Sequence, residues 1–230
     1  MTSPNAARSA RRSRRTRAVP RSFYDRDTAR VARDLLGCVL ECHGPDGVAS
    51  GRIVETEAYL GEHDGACHAV VGRTRRTAPL YGAPGFAYVY LIYGMYWCFN
   101  AVTRTAGRPS AVLVRAVEPL EGVGLMRRRR PAVRRDVDLT NGPGKLCTAL
   151  GIDARHNGGS LLRAPLVIRQ GEPVPDAEVL VTPRIGITRA ADWPLRYLVR
   201  ESAYVSRTPA AFPRWTYPEP HFLYPPEHDR

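Results

Sequence analysis

The stretch Gly51 to His68, GRIVETEAYLGEHDGACH, constrains this chain more than any other. Its opening residues alternate as a β-strand would have them. Arg52, Val54, Thr56 and Ala58 fall on one side, and Ile53, Glu55, Glu57 and Tyr59 on the other. Glu55 and Glu57 therefore share a face, roughly 7 Å apart along the strand. Ile53 and Tyr59 lie on that face too, so it is not a plain solvent face. Carboxylates are rarely buried without a partner or a task. Two half-exposed glutamates paired with Arg52 or Arg73 would satisfy that rule on the strand alone.

A second stretch, Phe86 to Asn100, reads FAYVYLIYGMYWCFN. Phe86, Tyr88 and Tyr90 alternate as in a strand, and Gly94 marks a turn or bulge just after Tyr93. A core strand whose tyrosine hydroxyls reach the surface accounts for this pattern. Aromatic planes beside a carboxylate, in a basic chain, also suit an extruded nucleobase and its sugar.

The chain is strongly basic, with a net charge of +12 and a pI near 10.0. That balance points to a polyanion, either nucleic acid or an anionic membrane surface. No apolar run has the length of a membrane span, and the N-terminus has no apolar signal region. A soluble intracellular protein without membrane attachment is the expectation. It would sit in the cytoplasm at the nucleoid of a bacterium, or in the nucleus of a eukaryote. The five cysteines, Cys38, Cys42, Cys67, Cys98 and Cys147, are odd in number and scattered, which argues against a disulfide framework. Cys38, Cys42, His43, Cys67 and His68 match no common zinc spacing, so free buried thiols and no metal are expected.

At 230 residues the chain suits one domain. Residues 1–20 form a basic arm, with Arg8, Arg11, Arg12, Arg14, Arg15 and Arg17 among small polar residues, and are expected to be disordered. Residues 21–206 form the domain, and residues 207–230 a tail rich in proline and aromatics. That tail is either disordered or laid on the domain. A helix is expected from Asp27 to Leu36, capped by Asp27, with strands at Cys38 to Cys42 and Gly51 to Ala58. Gly72 to Tyr81 reads as a basic loop carrying Arg73, Arg75 and Arg76, suited to phosphate contact. A strand at Ala111 to Val117 is interrupted by Arg115, which needs an anionic or carbonyl partner if buried. Glu118 to Arg130 has helical character. Asn141 to Lys145 opens a further helix, whose glycines and Lys145 would make an anion site. Short strands are expected at Leu166 to Arg169, Arg184 to Thr188 and Leu195 to Val199.

Taken together, RIVETEAYLG, the His68 that follows, YVYLIYGMYWCFN, AVLVRAVEPLEG and NGPGKLC resemble the alkyladenine (3-methyladenine) DNA glycosylase family, in its order and at its spacing. The resemblance covers Arg21 to Ser206. It implies an α+β fold of one domain: a curved, mostly antiparallel sheet flanked by helices, similar to formyltransferase C-terminal domains. It implies a monomeric enzyme acting on double-stranded DNA with damaged purines, without cofactor or metal. Glu57 matches the catalytic glutamate, which activates a water against the anomeric carbon of the flipped nucleotide. Arg115 matches a residue near that water. Tyr59, His68 and Tyr90 match the residues that sandwich the base, and Asn100 one that clashes with the amine of normal guanine. Tyr93 matches the side chain wedged into the duplex. No lysine lies in the core site segments, so base excision without strand cleavage is expected. Two other readings remain open on the residues alone. One is the mostly helical helix-hairpin-helix glycosylase class, and the other a non-catalytic nucleic-acid-binding module.

Overall fold

The computed structural model describes residues 16–217. Its elements, in chain order, are α1 (Arg21–Tyr24), α2 (Thr28–Asp34), β1 (Val39–Gly44), β2 (Gly47–Tyr59), β3 (Ala87–Ile92), β4 (Tyr96–Val102) and β5 (Ala111–Glu121). There follow α3 (Val123–Arg129), α4 (Pro143–Leu150), β6 (Leu162–Arg163), β7 (Leu166–Arg169), β8 (Val179–Thr182), β9 (Arg196–Val199) and β10 (Trp215–Thr216). The strands form one sheet, and every pair is antiparallel. This is the expected α+β class, and it overturns the mostly helical alternative.

Strand β2 is the branch point. One edge pairs β1 along Gly47–Arg52 and β9 along Glu55–Glu57, while the other pairs β5 along Ser50–Tyr59. Both faces are covered, so Glu55, Thr56, Glu57 and Ala58 are all buried. The even-numbered face packs under α2, where Thr56 Oγ1 donates to the Ala32 carbonyl at 2.8 Å. Helix α2 forms where its sequence suggests: Asp27 accepts the Arg30 N–H as N-cap, and Val31 and Ala32 point into the core.

The period of two sorts the next strands in the same way. Val112, Val114, Phe99, Ala101, Ala87 and Val89 join the main core, with Leu146 and Cys147 of α4 packed on it. Ala111, Val102 and Tyr88 face the opposite side, in a small cluster with Cys67 and Leu80 that is flanked by Tyr59 and Tyr90. The sheet thus has a sealed face and a second face left for a site.

Several expectations are corrected. The strand placed at Gly51 to Ala58 begins at Gly47, because Pro45 and Asp46 alone make the turn. Glu118 to Glu121 continue β5, since β2 still pairs them, and the helix starts only after Gly122. Arg184 to Thr188 is a loop, not a strand: Arg184 is buried as an ion pair and Gly186 takes a positive φ of 79°. The ordered fold also begins before Arg21, with Val19 buried and Ala18 bridging Arg169. Arg8 to Arg15 of the basic arm lie outside the described residues. Of the C-terminal tail, Trp215–Thr216 lies on the domain as the strand beside β8.

Phe99 anchors β4 from the sealed face, with no exposed surface, while its neighbours Cys98 and Asn100 face the other way. Truncating a buried phenylalanine costs about 3–5 kcal/mol. Phe99→Ala should therefore lower the free energy of unfolding in urea by that amount.

Candidate active site

The open face of β2, β5, β4 and β3 is the floor of a cavity of about 260 Å³. Register fixes who meets whom. Glu57 lies opposite Leu113, Leu113 opposite Asn100, and Asn100 opposite Tyr88. Tyr59, Arg115, Cys98 and Tyr90 are each two residues along from members of that row. Residues brought in by loops complete the walls: His68, Leu80, and Ile185 to Ile187. Of the residues expected at a site, Tyr59, His68, Tyr90, Tyr93, Asn100 and Arg115 all line this cavity.

Glu57 does not line it. It has no exposed surface and lies under Tyr59 and Arg115, which do. Three donors converge on its carboxylate. The Tyr59 hydroxyl donates to Oε2 at 2.9 Å, Arg115 Nη1 to Oε2 at 3.2 Å, and the Ile185 N–H to Oε1 at 2.8 Å. Burial and the neighbouring Glu57 charge raise the Tyr59 pKa well above its usual range, so the phenol keeps its proton and remains a donor.

Arg115 bridges both glutamates, reaching Glu55 through Nε at 3.1 Å. Between Glu55 and Thr56 the register with β5 advances two residues, from Ala116 to Val114, so Arg115 sits at a bulge. Burial works against its charge, but Glu57 and then Glu55 more than offset that and push its pKa up. Glu55 also accepts Arg196 Nε at 2.6 Å and the Ser206 N–H and hydroxyl, each at 2.6 Å. Burial opposes the Glu55 charge too, yet Arg115 and Arg196 hold its pKa below the usual carboxylate range. Arg52 and Arg73 are not the partners of these glutamates. Arg52 pairs Glu118, and Arg73 lies over the Tyr81 ring.

His68 and Tyr90 form one wall, their rings in edge contact with centroids 4.5 Å apart. A planar base between two rings needs roughly 7 Å, two contact distances of about 3.5 Å. At 4.5 Å and in edge contact, these two rings leave no slot for a planar group between them. Burial, assisted by Arg76, lowers the His68 pKa, which leaves the ring neutral at neutral pH. Its Nδ1 is 2.9 Å from the Tyr88 hydroxyl, whose own pKa is raised by burial. Asn100 is buried, with its amide donating to the Tyr88 carbonyl at 3.2 Å.

Tyr93 is 79% exposed at the tip of the β3–β4 hairpin. The Ile92 carbonyl accepts the Met95 N–H, and Tyr93 and Gly94 have φ of 52° and 68°. Both central residues are thus left-handed, as a type I′ hairpin turn demands. For tyrosine that conformation costs roughly 1–2 kcal/mol. The tip carries the aromatic ring out into solvent beside exposed Met95 and Tyr96. Arg73, Arg75 and Arg76 are exposed on the adjoining loop, and Arg76 lies over Tyr90. Lys145, exposed near the start of α4, donates to Asn141 Oδ1 at 2.7 Å, and Pro143 of that helix reaches the cavity.

The sequence pattern of the family described as methylpurine-DNA glycosylase (MPG) matches residues 22–203. The chain belongs to that family. Similar curated proteins carry provisional names as 3-methyladenine DNA glycosylases. One, from Myxococcus xanthus, is 50% identical over 194 residues, covering 83% of this chain and 94% of that protein. Others come from Methanoculleus marisnigri, at 48% identity over 82% of this chain and 98% of that protein, and Legionella pneumophila, at 44% over 84% and 100%. DNA glycosylase chemistry in base excision repair is therefore the setting for this cavity.

Sequence reasoning missed Arg196, Arg184 and Asp64 in this DNA glycosylase. Arg196 interrupts the apolar run Leu195–Val199 as Arg115 interrupts its own, so the same argument would have flagged it. Removing one partner of a buried ion pair costs about 3–5 kcal/mol. Glu55→Gln should lose stability of that order in denaturant titrations at neutral pH. The folded Glu55 holds its proton more weakly than the unfolded one. Its contribution is therefore fully present above the ordinary value of 4.5 and lost as pH falls below it. The gap between wild type and Glu55→Gln should narrow over that acid range.

Proposed function

We propose that this protein hydrolyses the N-glycosidic bond of alkylated or deaminated purines flipped out of duplex DNA. It leaves the DNA backbone intact. The observation that carries this reading is the buried Glu57, met by three donors and roofed by the aromatic cavity. A carboxylate has about four acceptor sites, so three donors leave one, which a water takes once Tyr59 or Arg115 shifts from over Glu57. Glu57 takes a proton from that water as its oxygen bonds to the anomeric carbon. The bond from that carbon to the base nitrogen breaks, and its electron pair leaves with the base. The carboxylate also stabilises positive charge developing on the sugar. Arg115 keeps Glu57 and the water in place.

The base stacks between Tyr59 on one side and the His68–Tyr90 wall on the other. Base stacking on an aromatic is worth about 1–3 kcal/mol. A neutral His68 suits a positively charged alkylated purine, which the aromatic faces attract further. Asn100, held by the Tyr88 carbonyl, excludes the exocyclic amine of guanine by contact. Lys145 is the only lysine of the chain, and its ammonium is committed to Asn141 outside the cavity, which supports hydrolysis over imine chemistry at the sugar. Arg73, Arg75, Arg76 and Lys145 contact phosphates around the flipped nucleotide. The reading assigns the enzyme to the cytoplasm, as a monomer. Among the described residues no helix is long and apolar enough to cross a membrane.

Two measurements test this. Glu57→Gln should slow single-turnover release of hypoxanthine by about 100- to 10,000-fold, the usual worth of a general base, with duplex affinity unchanged or raised. Wild-type rates in that variant would remove Glu57 from the chemistry. Tyr93→Ser should slow excision most where the lesion pairs well with its opposing base, because extrusion then costs more. A reporter base opposite the lesion would follow flipping directly, and a defect indifferent to pairing strength would deny Tyr93 the wedge role.

A further inference from the structure

The loop after β8 carries a buried arginine, Arg184, 1% exposed. Its guanidinium forks onto Asp64, with Nη1 2.6 Å from Oδ2 and Nη2 2.8 Å from Oδ1. Nη1 also donates to the Ala58 carbonyl at 2.9 Å. Asp64 in turn accepts the N–H groups of Leu60 and Ala66, each at 3.0 Å. A planar fork on a carboxylate fixes orientation as well as distance. One guanidinium therefore ties together the end of β2, the turn that follows it and the loop after β8.

Two consequences reach Glu57. The guanidinium carbon lies 4.7 Å from the centroid of the Tyr59 ring. Tyr59 lines the cavity and Arg184 does not, so Arg184 backs the ring on its far side. The hydroxyl of that ring is one donor to Glu57, and the N–H of Ile185, the residue after Arg184, is another. Both uncharged donors on Glu57 are thus held by Arg184. Stability alone is a weak reason for such a pair, since well-packed apolar residues commonly replace buried ion pairs without loss.

We propose that Arg184, clamped by Asp64, is a positioning residue for the hydrolysis. It sets the angle of the Glu57 carboxylate and the plane of the Tyr59 ring. The inference rests on the reading of Glu57 as the base.

The test is single-turnover release of hypoxanthine from duplex DNA. It compares wild type, Glu57→Gln, Arg184→Met, Arg184→Lys, Tyr59→Phe and the double variant Arg184→Met/Tyr59→Phe. Rates are taken per folded molecule, with folding followed by circular dichroism. Arg33→Met removes another buried arginine, paired with the exposed Asp176 away from the cavity, and serves as the control. Misplacing a reacting group by about 1 Å costs roughly 100-fold, and Arg184→Met should lose maximal rate on that scale with duplex affinity near wild type. Arg184→Lys should recover little, because an ammonium cannot fork. The double variant should be no slower than its slower parent, since both changes act through the same ring. Arg33→Met should keep the wild-type rate.

A folded Arg184→Met with the wild-type maximal rate would overturn the inference. So would losses with Tyr59→Phe that simply add, or an equal loss in Arg33→Met. Should Arg184→Met not fold, Arg184→Lys keeps the buried charge and decides by the same comparisons. Wild-type excision that persists in Glu57→Gln would overturn the reading of Glu57 and this inference with it. Excision lost in Glu57→Gln but kept in Arg184→Met would overturn the inference alone.

Discussion

The structure depends on one charge cluster buried under the cavity. Glu55 and Glu57 of β2 and Asp64 beyond it meet Arg115 of β5, Arg196 of β9 and Arg184 of the loop between β8 and β9. Three acids face three arginines, and none of the six has more than 8% exposure. Desolvating such charges is costly, and close geometry with several added hydrogen bonds is what offsets it. What the cluster yields is placement: no member can move without leaving another charge unmatched in a medium of low dielectric.

That placement is possible because β2 is covered on both sides for different reasons. One face meets α2 and the apolar core. The other meets arginines supplied by strands on both of its edges. An antiparallel sheet with period two makes this division automatic. Glu57, Leu113, Asn100 and Tyr88 fall in one row because four strands keep register there. The bulge at Arg115 is the local exception, and it brings the guanidinium within reach of both glutamates. The rigid floor then contrasts with what projects from it. The β3–β4 tip holds Tyr93 in a left-handed turn, where strain in the backbone accompanies an exposed side chain.

Charge divides the molecule in a second way. The cluster under the cavity is neutral as a set, while the chain as a whole carries +12. The excess must therefore lie elsewhere, and Arg73, Arg75 and Arg76 show part of it on the loop beside the cavity. The charge that reaches solvent and the charge held under the cavity are thus carried by different residues.

Much of this was legible in the sequence by itself, because it is local. Alternation in Gly51–Tyr59 put Glu55, Glu57 and Tyr59 on one face, and Gly94 announced the turn that displays Tyr93. Asp27 named the start of α2, and an arginine inside the apolar run Ala111–Val117 declared its need for a buried partner. Tertiary structure alone decided which groups met it, and that Arg52 and Arg73 were not partners of the glutamates. It also turned Arg184 to Thr188 into a loop. That segment reads as a strand by composition, but a buried arginine forked onto Asp64, 120 residues earlier, outweighs a few apolar side chains. Pairing across such separations leaves no periodicity in the chain to read. It arises only when β2, β5 and β9 lie side by side and a desolvated charge must find its opposite.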